Sequence, residues 1–228
     1  MLYDSYRRYG ASFWPFLIFF FQPLGAVIYF VANARTILHG LSPGSGGGPG
    51  LFGLGLKAKI RKTEQQMLVS ETEALRAELA ELYYQDKRYE DAERLFQKVL
   101  ENDPESQEAL YYLALCKLER QDFKSGCAYL QKLVDKNRKY RFGTAWLRYA
   151  ETLDKLGRRE EALAELRPLS RAFPRPLTEF AYAKMLAEAG QKDKARETLE
   201  YMLSTSSEAP AEDRTWLRQG QTLLRSLS

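Results

Sequence analysis

The sequence is poor in the side chains on which most catalytic and metal sites depend. Its 228 residues include one histidine, His39, and two cysteines, Cys116 and Cys127, with no Cys-x-x-Cys pair. A structural zinc site needs four cysteine or histidine ligands, and an activated nucleophile needs a base beside it. We therefore expect no enzyme activity, no metal and no cofactor. The cysteines are interpreted as half-buried helix residues, and a disulfide is neither required nor excluded.

A strong overall charge is also absent, and the small excess is unevenly placed. The formal net charge is +4, from 34 basic and 30 acidic residues. Seven of the basic residues but only one acidic residue precede Thr63, so the rest of the chain is slightly acidic. Nucleic-acid binders usually carry a basic stripe on the folded domain, so nucleic acid is not expected as a partner. The basic N-terminal portion suits an anionic membrane surface instead.

Long apolar runs are missing except for one, from Phe13 to Ala32, which holds no charged residue. A helix of this length spans a hydrocarbon core of about 30 Å. We predict a tail at 1–12, a transmembrane helix at 13–34 and the lipid bilayer as a partner. Trp14 and Tyr29 would lie near the two membrane surfaces, and Pro23 would kink the helix. The alternative is a signal peptide cleaved after Ala34.

This apolar run carries a short resemblance to a known family. The segment with Trp14, Pro23, Gly25 and Tyr29 resembles the N-terminal membrane segment of the phospholipase D-nuclease family, which precedes cardiolipin synthase catalytic domains. The likeness covers about twenty residues, and no His-x-Lys catalytic motif follows it. The resemblance implies a membrane anchor, and nothing about enzymatic activity is carried over from the family.

A glycine-rich stretch follows the apolar run. Residues 39–56 contain eight glycines and two prolines, so we predict a flexible linker over 35–56. Residues 57–72 are predicted to form a basic helical lead-in, with Lys57, Lys59, Arg61 and Lys62 at its start. These four side chains either contact anionic lipid or simply begin a solvated helix, and the sequence leaves both open.

The remainder of the chain repeats itself at a period close to 34 residues. Small residues recur at Ala80, Ala114, Ala150 and Ala183, and again at Ala92, Gly126, Ala162 and Ala195. Small side chains let paired helices approach closely, while large ones three or four positions away fill the gaps. We predict four helix pairs at about 73–106, 107–142, 143–175 and 176–209, and a capping helix at 210–228.

Together these positions resemble the tetratricopeptide repeat (TPR) family. The resemblance covers about 73–209 and implies an all-α superhelix of helix-turn-helix repeats. The chain departs from the family pattern at Arg76, where a large apolar residue is usual, and at Arg138, where a proline is usual. Two extra residues precede the third copy.

The resemblance places a partner-binding groove on the first helix of each pair. The predicted groove residues are Tyr84, Tyr111, Tyr112, Leu115, Arg148, Phe180 and Lys184. If they are exposed, Tyr111, Tyr112 and Leu115 form an aromatic patch that anchors a peptide. Packing against the neighbouring repeat is the alternative for each residue. A basic cluster at Lys132, Lys136, Arg138, Lys139 and Arg141 either holds an acidic partner or is a solvated loop.

These features predict a membrane-anchored, single-pass scaffold that binds a protein or peptide and no small-molecule substrate. The repeat domain is expected in the cytoplasm of a bacterial cell, with the periplasm as the alternative. Two other functions remain open. One is a secreted or periplasmic repeat protein released after Ala34, and the other is a non-catalytic subunit of a membrane enzyme or envelope assembly complex.

Overall fold

The structure is a computed structural model that describes residues 49–206 and 210–227. Contacts divide the chain into two units, 1–55 and 56–228. The predicted transmembrane helix, with Trp14, Pro23, Gly25 and Tyr29, lies outside the described residues, as do His39 and the cleavage position after Ala34. Across 49–206 and 210–227, no helix combines the length and apolarity that a bilayer crossing requires.

The described residues are helical and include no strand, which confirms the predicted all-α class. They form ten α-helices and one 3-10 turn. The helices are α1 Pro49–Val69, α2 Glu73–Gln85, α3 Tyr89–Asn102, α4 Gln107–Glu119, α5 Phe123–Lys136, α6 Thr144–Lys155, α7 Arg159–Ala172, α8 Pro176–Glu188, α9 Lys192–Thr205 and α10 Arg214–Leu227. The 3-10 turn Tyr140–Gly143 precedes α6. Four successive helix pairs, α2/α3 to α8/α9, therefore precede the final helix α10.

Helix α1 corrects the predicted linker. The flexible segment was expected to extend to residue 56, but α1 begins at Pro49. A proline at the first helical position has its φ already set, and each residue added to an existing helix gains a hydrogen bond. The helix is held by Leu56 and Ile60, which pack against Leu79 and Leu82 of α2. This packing outweighs the low helix propensity of the glycines near its start.

Small residues allow close approach within each helix pair. Seven of the eight predicted small positions are alanines, and all seven are fully buried at 0% exposure. The one glycine among them, Gly126, has no room for a side chain, because an added Cβ would lie 2.7 Å from Cδ2 of Leu118. Each second helix also carries a large, fully buried side chain at an equivalent position of the repeat. These side chains are Phe96, Leu130, Leu166 and Leu199.

The turn inside each pair uses the same hydrogen bond. One residue adopts a left-handed conformation, which is Lys87, Gln121, Gly157 and Gly190 in the four pairs. The next residue donates its N–H to a carbonyl five positions back, at 2.8–2.9 Å in each pair. This bond satisfies a carbonyl that the end of the first helix leaves free. Lys87 and Gln121 show that glycine is not required at this position.

The connection between the second and third pairs is the irregular one. Arg141, Phe142 and Gly143 lie in succession at φ 47°, 53° and 79°. These residues include the two extra positions noted in the sequence. Phe142 is 77% exposed, and its carbonyl accepts a 3.3 Å hydrogen bond from the Arg175 guanidinium. Gly143 lies against Phe173, where an added Cβ would be 2.7 Å from a ring carbon.

Helix α10 covers the open end of the fourth pair. Its side chains Leu217, Leu223, Leu224 and Leu227 pack on the cluster formed by Ala183, Leu199 and Met202. Gly220 of α10 is buried against the Met202 side chain. The helix therefore shields apolar surface that the last repeat would otherwise expose to water.

Both cysteines are more deeply buried than the sequence suggested. Cys116 is 0% and Cys127 4% exposed, and both thiols are free. Burial raises the pKa of Cys116 to about 12, and it also raises the pKa of Cys127. Because only an accessible thiolate reacts, neither thiol is expected to react with iodoacetamide in the native protein at neutral pH, whereas both should react in denaturant. Mass spectrometry of alkylated samples checks this, and rapid native labelling of either cysteine would contradict the burial.

Candidate partner-binding site

The predicted groove residues separate into two groups in the structure. Tyr84, Tyr111, Tyr112 and Leu115 lie on α2 and α4, and Arg148, Phe180 and Lys184 lie on α6 and α8. The first group contributes to the core. The second group lines an open cleft.

Tyr111 and Tyr112 are buried, each at 6% exposure. The Tyr112 ring stacks on Phe96 at 5.1 Å between centroids, and its edge meets Tyr84 at 5.5 Å. Tyr111 and Tyr112 point about 100° apart around the axis of α4. The stacking on Phe96, which belongs to the preceding helix pair, shows that Tyr112 is directed towards that pair. The exposed aromatic patch considered for Tyr111 and Tyr112 is therefore not formed, and Leu115 is half-buried against the same core.

Polar contacts fix this aromatic cluster. The Tyr112 hydroxyl donates a 2.7 Å hydrogen bond to Glu81 and accepts one of 3.3 Å from Arg141. Burial raises the pKa of Tyr112, and the hydrogen bond to the Glu81 carboxylate raises it further. The Arg141 guanidinium also lies 5.0 Å from the centre of the Tyr111 ring, a cation–π distance. The irregular connection before α6 is thus tied to α4.

Other members of the predicted basic cluster also make internal contacts. Lys136 forms a 2.7 Å ion pair with Glu105, and Lys132 donates to the Pro104 carbonyl at 2.8 Å. Arg138 lies over the Trp146 ring at 4.5 Å and 3.6 Å from Glu165. Lys132, Lys136 and Arg138 thus make contacts within the repeats while their side chains stay partly exposed, so both alternatives for the basic cluster stay open.

The second group of predicted residues surrounds a cavity of about 410 Å³ between α6, α8 and α10. We call it the α8 cleft. Its lining includes Arg148, Lys155, Phe180, Lys184, Trp216 and Gln219. Phe180 and Trp216 are both in the lining, with ring centroids 5.8 Å apart. A cleft of this size, with two aromatic side chains and several polar groups, has the composition of a binding site.

Trp216 and Gln219 were not among the residues predicted from sequence. They belong to α10, which the sequence identified only as a capping helix. The sequence feature that could have pointed to Trp216 is a large aromatic residue near the start of the amphipathic capping helix. Only the packing of α10 on α8 brings it beside Phe180.

The charges around the α8 cleft are balanced. Arg148 pairs with Glu151 at 3.1 Å, and Lys184 pairs with Glu188 at 3.8 Å. Both pairs are solvent-accessible and contribute little to stability, because water screens them and ordering long side chains costs entropy. A bound partner can therefore take over either member of a pair at small cost. Within the part of the chain that the structure describes, no group of three or more histidine, cysteine or acidic side chains is placed to hold a metal ion.

Successive helix pairs that each pack on the next define an α-solenoid repeat protein. A family model described as tetratricopeptide repeat matches residues 77–143, and the described helix pairs share the fold of solved tetratricopeptide repeat proteins. The match covers α3, α4 and α5 with most of α2. The resemblance to the tetratricopeptide repeat family, drawn from the spacing of small residues, is confirmed.

Solved structures of similar fold support the same assignment. MamA has a TM-score of 0.61 at 17% identity, over 67% of this chain and 90% of that chain. TTC0263, a TPR protein of Thermus thermophilus, has a TM-score of 0.56 at 17% identity, over 75% and 94% of the two chains. YrrB, described as a TPR protein with an unusual peptide-binding site, has a TM-score of 0.55 at 16% identity, over 72% and 86%. Comparison with curated protein sequences finds no match.

Proposed function

We propose that this chain is a membrane-anchored scaffold that binds a peptide segment of a partner protein in the α8 cleft. The observation that carries the proposal is the cleft itself. It brings Arg148, Phe180 and Lys184 together with Trp216 on a face that the repeats leave open. The peptide-binding site named for YrrB, a protein of similar fold, adds support by analogy.

The composition of the cleft favours a particular kind of segment. Phe180 and Trp216 provide an apolar surface, where a partner's aliphatic or aromatic side chain would remove surface from water. Arg148 and Lys184 offer charged donors, and Glu151 and Glu188 offer acceptors, within the same cleft. A segment with one large apolar residue flanked by charges of both signs matches this arrangement.

Anchoring to the bilayer is the second part of the proposal. Its support is the uncharged run from Phe13 to Ala32 and the basic residues on both sides of it. We propose a single pass with the repeats in the cytoplasm. The intact mass of the chain recovered from whole cells and medium tests whether the anchor is retained, because cleavage after Ala34 would shorten the chain by 34 residues and release it.

Charge reversal tests the cleft. In crosslinking and pull-down from membranes, Arg148→Glu/Lys184→Glu is expected to reduce partner recovery by at least about tenfold, because like charges across an interface repel. Both side chains are exposed, so the fold should be retained. The matched control is Lys98→Glu/Lys124→Glu, which makes the same charge change at exposed positions on the second helices α3 and α5. Equal recovery with both double variants would exclude the α8 cleft as the binding site.

A further inference from the structure

One position of the repeat differs among the four pairs, and in the last pair it faces a cavity. The fourth residue of each predicted copy is Arg76, Leu110, Trp146 and Glu179. Leu110 and Trp146 are packed in the core at 1% and 4% exposure. The Trp146 ring also donates a hydrogen bond of 2.5 Å to Glu165. Glu179 is equally buried at 4% exposure, but it is acidic.

The Glu179 carboxylate has no partner among the described residues. It accepts no hydrogen bond from them, and it does not belong to any of their ion pairs. Burial alone raises its pKa. An uncompensated buried carboxylate destabilises the folded state, and a cation brought next to it would relieve that cost.

The carboxylate lines a cavity of about 660 Å³ between α7, α8 and α9. Tyr182 and Leu186 of α8 lie in the same lining, and Tyr201 of α9, which is 56% exposed, forms part of its wall. Aromatic and aliphatic walls around a buried carboxylate suit the methylene stem and charged head of a basic side chain. This cavity shares no lining residue with the α8 cleft.

The rest of the lining is mainly basic, although it also includes the exposed carboxylate of Glu197 on α9. Arg167 and Arg171 stand one turn apart on α7, and both are exposed. Neither guanidinium bonds to a described residue. Lys194 of α9 adds a third cation, which donates to Gln191 at 2.9 Å. A basic group could approach the cavity only if acidic groups accompanied it, because it would otherwise be repelled.

We propose that the cavity is a second docking site for a partner protein, one that inserts a lysine or arginine side chain towards Glu179 while flanking acidic residues pair with Arg167 and Arg171. The inserted cation neutralises the buried carboxylate, and the acidic residues neutralise the rim. This proposal is independent of the α8 cleft, because a separate set of residues carries it.

The test measures binding of two fluorescent acetylated peptides to the full chain in detergent micelles. One peptide is Glu-Glu-Lys-Glu-Glu-amide, and the comparison peptide, Glu-Glu-Gln-Glu-Glu-amide, lacks the central positive charge. We expect the lysine peptide to bind at least about tenfold more tightly than the glutamine peptide. Glu179→Gln should remove that difference. Glu101→Gln, an exposed neutralisation on α3, should preserve it. Arg167→Gln/Arg171→Gln should lower the affinity for both peptides. The control Lys98→Gln/Lys124→Gln should leave both affinities unchanged.

Three outcomes would overturn the proposal. The first is equal affinity of the native chain for the two peptides. The second is a lysine preference that persists in Glu179→Gln. The third is displacement of the lysine peptide by free lysine at equal concentration, which would assign the cavity to a small zwitterion instead. Glu179→Gln removes an unpaired buried charge, so it should fold, and thermal unfolding monitored by circular dichroism verifies this for each variant.

Discussion

Replacing Tyr112 with alanine is expected to lower the free energy of unfolding by about 3–5 kcal/mol. The ring is 6% exposed, and it stacks on Phe96 with an interplanar angle of 3°. Its loss would leave a cavity where the first two helix pairs meet, and the surrounding helices can only partly close it. The measurement is equilibrium unfolding in urea, followed by far-ultraviolet circular dichroism.

The matched control is Tyr112→Phe. It keeps the ring and removes only the hydroxyl, which bonds to Glu81 and Arg141. We expect a cost of about 1 kcal/mol, since a net hydrogen bond contributes about that much. If the alanine variant were no less stable than the phenylalanine variant, the ring would not be a core residue.

This pair of variants also affects how partner binding is tested. Loss of a partner in Tyr112→Ala would report unfolding of the aromatic cluster rather than removal of a contact. Exposed side chains such as Arg148 and Lys184 are better probes, because changing them leaves the core intact.

The second large effect that we expect is for Gly143→Ala, which should lower the free energy of unfolding by about 2–5 kcal/mol. Two costs add at this position. The backbone lies at φ 79°, a region that costs a non-glycine residue about 1–2 kcal/mol. The new Cβ would also lie 2.7 Å from a ring carbon of Phe173 and 3.1 Å from Leu169, so the core would have to shift, at about 1–3 kcal/mol.

Gly157→Ala separates these two costs. Gly157 has nearly the same backbone conformation, at φ 77°, but an added Cβ meets no atom within 4 Å. It should therefore show only the conformational cost, about 1–2 kcal/mol. Urea unfolding of both variants measures the difference. Equal destabilisation would mean that contact with Phe173 does not constrain the connection before α6.

Several features of the fold follow from the order of residues along the chain. The recurrence of Ala80, Ala114, Ala150 and Ala183 predicts where first helices approach their partners, because only a small side chain allows that contact. Apolar spacing within each copy predicts the buried face in the same way. These patterns are local and have a fixed period, so each helix pair buries equivalent positions.

The residues of the candidate site are harder to predict from the sequence. Arg148, Phe180 and Lys184 were predicted by repeat phase and do line one cleft. Trp216 could not be placed there, because its position depends on how α10 packs after the last repeat. Tyr112 occupies a predicted groove helix, yet it points into the preceding pair, a direction fixed by the rotation of α4 about its axis.

The sequence by itself determined the helical class, the period and the small residues at the helix contacts, since these depend on spacing along one chain. The tertiary structure decided which side chains remain accessible, because burial depends on neighbours distant in sequence. It placed Tyr112 against Phe96, Trp216 beside Phe180, and Glu179 in a cavity where Trp146 fills the equivalent position of the preceding pair. Packing between helices therefore separates the structural residues of this protein from those available to a partner.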